Sequence, residues 1–224
     1  MSNHQPFEAE QTVLIEAGDV QLEGILNVPS PTEQAKGLVV FVHGSGSSRF
    51  SPRNHYVADL LNQAGLATLL FDLLTQEENR IDTMTREFRF DIDLLSRRTI
   101  ATVDWLSEHP TLSQLSIGLF GASTGAAAAL NTAKARPNEV ECVVSRGGRP
   151  DLAMPSLPDV LAPTLLIVGS LDWEVLELNK QAQEAMRAHC ELVTIEGATH
   201  LFEEPGTLPA AAETAKNWFI KHLQ

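Results

Sequence analysis

The stretch LFGASTG, Leu119 to Gly125, ends an apolar run and opens a small-residue segment, residues 126–135. An apolar run, a tight glycine-bracketed turn and an alanine-rich stretch read as strand, turn and helix. At the turn stands Gly121-Ala122-Ser123-Thr124-Gly125, with the serine between glycines at Gly-x-Ser-x-Gly spacing. In a nucleophile elbow a serine occupies such a turn. It is held in a strained conformation that exposes its hydroxyl at the edge of an α/β sheet. The following helix then points its positive end at the serine and can stabilise developing negative charge. The same residues also suit an ordinary strand-to-helix turn, so the rest of the chain must be asked for the partners Ser123 would need.

Working outward, short and nearly continuous apolar runs recur at Leu38–Val42 and at 66–71, 115–120, 140–144, 165–168 and 192–195. Runs of this kind fit parallel strands covered on both faces. Helix-like stretches lie between them, at 56–64, 88–108, 126–135, 175–189 and 209–223. In the second of these, Phe88, Ile92, Leu95, Val103 and Leu106 fall at helical spacing. Residues 12–15, a turn at 17–19 and the alternating stretch 21–28 read as an antiparallel hairpin, with Leu22, Gly24, Leu26 and Val28 on one face. Residues 72–86 and 146–162 read as irregular. The pattern predicts one α/β domain over residues 1–224. It would have a mostly parallel sheet, helices on both faces and no large lid domain.

Ligands of such sheets bind at the carboxyl ends of the parallel strands. The loops that matter are therefore 43–53, 72–85, 121–125, 145–151, 169–173 and 196–204. A serine nucleophile needs a base, and the base needs an orienting carboxylate. In hydrolases with this elbow they follow in the order serine, acid, histidine. Asp172 comes just after the run 165–168, and His200 just after 192–195. Asp172 would also suit a helix N-cap, and His200 a surface loop. Of the other histidines after the serine, His189 falls at a helix end and His222 near the end of the chain. An oxyanion hole needs two backbone donors. The Thr124 amide follows the serine directly, and the Ser45 amide comes from His43-Gly44-Ser45-Gly46-Ser47-Ser48. No Gly-Lys-Ser/Thr follows that loop, which speaks against a phosphate cradle. His43 reads as a loop-ordering residue.

The chain has 224 residues, 43% of them hydrophobic, and a formal net charge of −13. That charge disfavours nucleic acid and anionic membranes as partners. No apolar run approaches the roughly 20 residues of a membrane-spanning helix. The N-terminus, MSNHQPFEAEQ, has neither a basic nor an apolar leader region. With Cys142 in an apolar run and only one other cysteine, Cys190, a cytoplasmic protein is expected. No HExxH or clustered Cys/His spacing calls for a metal, and no cofactor is expected. Arginines gather in the active-edge loops: Arg49, Arg53, Arg146 and Arg149. Arg146 or Arg149 could hold an anionic group of a substrate, or could pair with Asp151 and order the loop. Trp173 and Tyr56 could wall an acyl pocket, or pack in the core.

With Ser123, Asp172, His200 and the His43-Gly44 loop in place, the chain resembles the α/β-hydrolase superfamily. More narrowly, it resembles the small, lidless dienelactone-hydrolase-like proteins. The motifs that carry this are His-Gly-Ser-Gly-Ser-Ser, Gly-x-Ser-x-Gly and Gly-Ala-Thr-His-Leu-Phe, and the resemblance covers nearly the whole chain. It implies an eight-stranded, mostly parallel sheet with one antiparallel strand near the N-terminus. Dienelactone hydrolases proper carry a cysteine at the elbow, where this chain has Ser123. The implied activity is hydrolysis of a small carboxylic ester or lactone through an acyl-enzyme. The same residues would serve an acyltransferase or perhydrolase. A hydrolase-fold protein that binds a ligand without turnover is the reading from another class.

Overall fold

In the computed structural model residues 10–223 are described. The stretch read for a leader, apart from its last two residues, lies outside them. Eight strands form one sheet: Gln11–Ala17 (β1), Val20–Asn27 (β2), Leu38–Val42 (β3), Ala67–Phe71 (β4), Ile117–Ala122 (β5), Val140–Arg146 (β6), Thr164–Gly169 (β7) and Cys190–Ile195 (β8). Their spatial order is β1-β2-β4-β3-β5-β6-β7-β8. β2 runs antiparallel to both β1 and β4, and the remaining neighbours are parallel. This is the α/β-hydrolase fold expected from the sequence.

The continuous apolar runs have a direct cause. Every residue of β3, β4, β5 and β7 is buried, because helices cover both faces. Side chains alternate between two cores, as the pleat requires. Leu38, Val40, Leu69, Leu119 and Val143 face one core, and Val39, Phe41, Leu70, Phe120 and Val144 the other. The first is closed by Ile92–Glu108 (α3) and Thr124–Ala135 (α4), the second by Pro52–Gln63 (α1) and Thr207–His222 (α6). Each fully buried aliphatic or phenyl side chain contributes roughly 1.5–3 kcal/mol to this arrangement.

Several boundaries differ from the sequence reading. The helix read from 56 begins at Pro52, and the one read over 175–189 spans Trp173–Ala185, so His189 lies beyond its end. Residues 72–86 are not irregular: Gln76–Thr85 is a helix (α2). Its one buried residue is Asp82, so it has no apolar stripe to read. Its start is nonetheless written in Thr75 and Glu78, which form a reciprocal capping box. The long helix begins at Ile92 rather than Phe88. The Asp82 carboxylate accepts from the amides of Phe88 and Arg89 at 2.9 and 3.0 Å, which holds that segment out of the helix. Asp91 then caps α3 by accepting from the Leu94 amide at 2.9 Å. The irregular stretch 146–162 contains Pro150–Asp159, a 3-10 segment with Pro155 and Pro158 inside it.

The topology places the site. The chain leaves β3 towards β4 on one side and returns to β5 on the other. Loops leaving β3 and β5 therefore diverge and open a crevice at the carboxyl end of the sheet. Those loops begin at His43 and Ser123. No helix among the described residues is long and apolar enough to cross a membrane.

Candidate active site

Ser123 stands between β5 and α4 with φ 50° and ψ −124°, a backbone conformation that L-residues rarely adopt. Such a position costs on the order of 1–3 kcal/mol and persists only where the surroundings impose it. Here the Ser123 carbonyl accepts from the amides of Ala126 at 3.1 Å and Arg149 at 3.0 Å. The flanking glycines have a steric reason. A Cβ on Gly121 would lie 2.5 Å from the Ala126 Cα, and one on Gly125 2.1 Å from the Val42 carbonyl oxygen. Ser123 holds the N-cap position of α4, yet its side chain makes no capping bond. Its hydroxyl is left to the cleft that the crevice forms.

Asp172 likewise sits at the N-cap of a helix, Trp173–Ala185 (α5), and its carboxylate does not cap it. That carboxylate instead meets His200, with Nδ1 and Oδ2 2.6 Å apart. The two loops are tied together by their backbones. The Leu171 amide donates to the Ala198 carbonyl at 3.0 Å, and the Gly197 amide to Ser170 Oγ at 2.9 Å. Glu204 fixes the far side by accepting from the Thr199 amide at 3.1 Å and from its hydroxyl at 2.5 Å. Ser170 and Glu204 are braces that sequence reasoning missed, since neither lies in a motif. His200 and Ser123 line one cleft of about 280 Å³. No hydrogen bond joins Ser123 Oγ to His200. Such contacts commonly tighten only with substrate in place.

At the oxyanion positions the Thr124 amide is the first of α4, where no carbonyl one turn back can accept from it. Ser45 lines the same cleft, and its amide donates to Thr124 Oγ1 at 2.9 Å. The Thr124 side chain, unremarked in the sequence, thus engages one of the two expected donors. His43 is buried and orders the loop as expected. Its Nε2 accepts from the Leu73 amide at 3.1 Å, which leaves the proton on Nδ1 to donate to the Gly44 carbonyl at 2.8 Å. Burial lowers its pKa below the ordinary histidine value, against the opposing influence of the Gly44 carbonyl and Asp72. Accepting an amide proton at Nε2, the ring is neutral in this arrangement.

The sequence model of the dienelactone hydrolase family matches residues 22–224. This chain belongs to the dienelactone hydrolase family. It is 54% identical to a dienelactone hydrolase from Anabaena variabilis of known crystal structure, with a TM-score of 0.94 over 99% of this chain and 100% of that one. It also superposes with a TM-score of 0.79 on Est1E from Butyrivibrio proteoclasticus, covering 94% of this chain and 98% of that one. At 16% identity that likeness shows the fold alone. Two relatives from strains of Mycobacterium tuberculosis, 55% identical over 214 residues, carry the provisional name phosphoribosyl transferase. The match takes in 96% of this chain but only 47% of theirs, so the chain spans about half the length of those relatives.

The residue at the expected nucleophile position is Ser123, and neither cysteine lies in the cleft. Cys142 lies within β6, fully buried, and burial pushes its thiol well above the ordinary range. Burial likewise pushes the half-buried Cys190 up to about 12. A thiol held protonated is a poor nucleophile.

The arginines of this family member separate sharply. Arg49 binds Asp72 and Glu23. Arg149 reaches Asp151 with two parallel bonds of 2.8 Å. Arg146 has no carboxylate partner; it is 7% exposed and lies in the cleft, with its Cζ 5.5 Å from the Phe120 ring centre. Trp173 is 72% exposed and Tyr56 43%, so neither is a core residue, and neither lines the cleft, whereas Leu201 does.

Proposed function

We propose that this chain is a serine hydrolase that cleaves a small carboxylic ester or lactone through an acyl-enzyme. Ser123 Oγ attacks the carbonyl carbon while His200 takes its proton. The carbonyl oxygen, now negative, is held by the Thr124 amide and by the Ser45 amide once the Thr124 hydroxyl shares or yields it. Asp172 fixes the His200 tautomer through Nδ1 and stabilises the imidazolium. His200 then protonates the leaving alkoxide, and in the second half it activates the water that releases the acid. The observation that carries this reading is the 2.6 Å Asp172–His200 pair, whose histidine lines the same cleft as Ser123, a residue at positive φ that does not cap its helix. Two helix N-cap residues, Ser123 and Asp172, leave their own helices uncapped. Each such omission forgoes on the order of 1 kcal/mol of stability, which a purely structural turn would keep.

The name phosphoribosyl transferase is said of proteins about twice this length. Ester hydrolysis is proposed for the part matched here.

The test is covalent labelling. A fluorophosphonate should modify Ser123, located by mass spectrometry, and a panel of short-chain p-nitrophenyl esters should be turned over. Folded protein with Ser123 unlabelled would refute the nucleophile. Labelled protein without turnover of any ester or lactone would favour a binding protein.

A further inference from the structure

One charged group in the cleft has no part in acyl transfer. The Arg146 guanidinium makes no hydrogen bond and no ion pair among the described residues, and its Nη1 is fully buried without an acceptor. Arg53 lines the same cleft, and its nearest carboxylate is that of Glu203, 3.8 Å away and 68% exposed. Burial first, and the charge of Arg53 second, lower the Arg146 pKa to about 10. An unpaired buried cation is strongly unfavourable, and a second cation beside it adds to the cost. The protein does not lack acids, having 29 aspartates and glutamates against 16 lysines and arginines. Asp151, the acid in the loop that follows Arg146, is committed to Arg149.

The position of the pair is equally pointed. Arg146 is the last residue of β6 and lies opposite Ala122 in the parallel register, one residue before Ser123. The Arg146 carbonyl accepts from the Ser123 amide at 3.4 Å. Ser47 and Ser51 line the same wall.

We propose that Arg146 and Arg53 form an anion subsite that holds a dianionic phosphate group of the substrate while its ester carbonyl meets Ser123. The proposal deepens the ester-hydrolase reading and rests on it. Phosphate suits the pair better than carboxylate for two reasons. Arg146 has no acid and Arg53 only the exposed Glu203 at 3.8 Å, so an incoming group meets two guanidiniums, and a phosphomonoester brings close to two negative charges at neutral pH. A tetrahedral phosphate also presents three terminal oxygens, so two guanidinium forks can approach from different sides, whereas a planar carboxylate is satisfied by one.

The experiment is calorimetric titration of the full chain carrying Ser123→Ala, at pH 7.5, with phenyl phosphate, benzoate and benzyl alcohol. Phenyl phosphate should bind at least tenfold more tightly than benzoate, and benzyl alcohol more weakly still. Arg146→Met in that background should weaken phenyl phosphate at least tenfold, Arg53→Met by a smaller factor, and Arg149→Met not at all. Arg146→Met removes a buried charge, so its folding is checked by thermal melting; the more accessible Arg53→Met gives a second reading if it misfolds. Phenyl phosphate should raise the melting temperature of the parent but not of Arg146→Met. Equal affinity for benzoate would overturn the phosphate assignment. Absence of phosphate binding, or binding indifferent to both Arg146→Met and Arg53→Met, would overturn the subsite. Fluorophosphonate labelling of unmutated protein separates the two readings. Labelled Ser123 without phosphate binding removes the subsite and leaves the hydrolase. Phosphate binding without labelling removes the hydrolase, and with it any role of the site in positioning an ester.

Discussion

Two neighbouring regions treat buried charge in opposite ways. Around α2 each buried or half-buried arginine has an acid. Arg49 bridges Asp72 and Glu23, Arg89 pairs with Asp82 at 2.7 Å, and Arg98 with Glu78 at 2.7 Å. Burial alone would raise the Asp82 carboxyl, but the Arg89 and Phe88 amides and the Arg89 guanidinium outweigh it and hold it below the usual carboxylate value. Across the oxyanion loop, Arg146 is as deeply buried and has none of this. The first region shows what the chain does with charge when the purpose is to hold a segment in place. The second, beside Ser123, departs from that practice where a ligand would supply the missing partner. A site that must receive an anion has to keep its cation unsatisfied until the anion arrives.

The contrast can be broken at several points. The largest effect is expected at the chemistry itself. Ser123→Ala should lower ester turnover by about 10⁴–10⁶-fold while melting stays near that of the parent, as comparison of kcat and thermal scans would show. On the paired side, Asp82→Ala leaves Arg89 and two amides without their acceptor. It should cost about 3–5 kcal/mol in urea unfolding. The milder Asp82→Asn should also flatten the acid limb of stability. Because the folded carboxyl titrates below its unfolded value, the stability it provides is present above roughly pH 4 and lost as pH falls further. On the unpaired side the sign reverses. Arg146→Met should stabilise the free protein, by about 1–4 kcal/mol, because removing a buried cation with no partner relieves a penalty. A loss of stability there would mean that Arg146 packs more than it repels.

His43 gives a smaller, pH-bound effect. Its folded pKa lies below its unfolded value, so stability is full above about pH 6.5 and declines as pH falls through the window beneath it. His43→Gln should remove that part of the decline, seen as a shallower slope of melting temperature between pH 6.5 and 5. The smallest change is expected at Arg149→Met. Its pair with Asp151 is about one-third exposed, and the loss should stay within about 1 kcal/mol.

Much of this was legible in the linear chain for identifiable reasons. Parallel strands buried on both faces must be apolar without interruption, so β3, β4, β5 and β7 announce themselves. The elbow is legible because only glycine fits at Gly121 and Gly125. Asp172 and His200 were located by their place after strand runs, and the structure brings their side chains into contact. α2 escaped notice because a helix that buries only Asp82 carries no apolar period, and its capping box at Thr75 and Glu78 was the signal available. The engagement of the Ser45 amide by Thr124 could not be read, since it joins residues 79 apart in sequence.

Sequence by itself determined the alternation of strands and helices along the chain, the glycine-bracketed turn at Ser123 and the order in which Ser123, Asp172 and His200 follow strand runs. These rest on local sterics and on the unbroken apolar runs that parallel strands covered on both faces require. The tertiary structure alone decided what each charge meets. Arg146 and Arg149 are the same residue type three positions apart, and the letters around them, Asp151 included, leave open which of the two is paired. One turns outward to Asp151, while the other lies inward against Phe120 and beside Arg53, because a strand end and the loop after it face different surroundings. Coulombic partnership depends on distance through space, which the linear chain does not record.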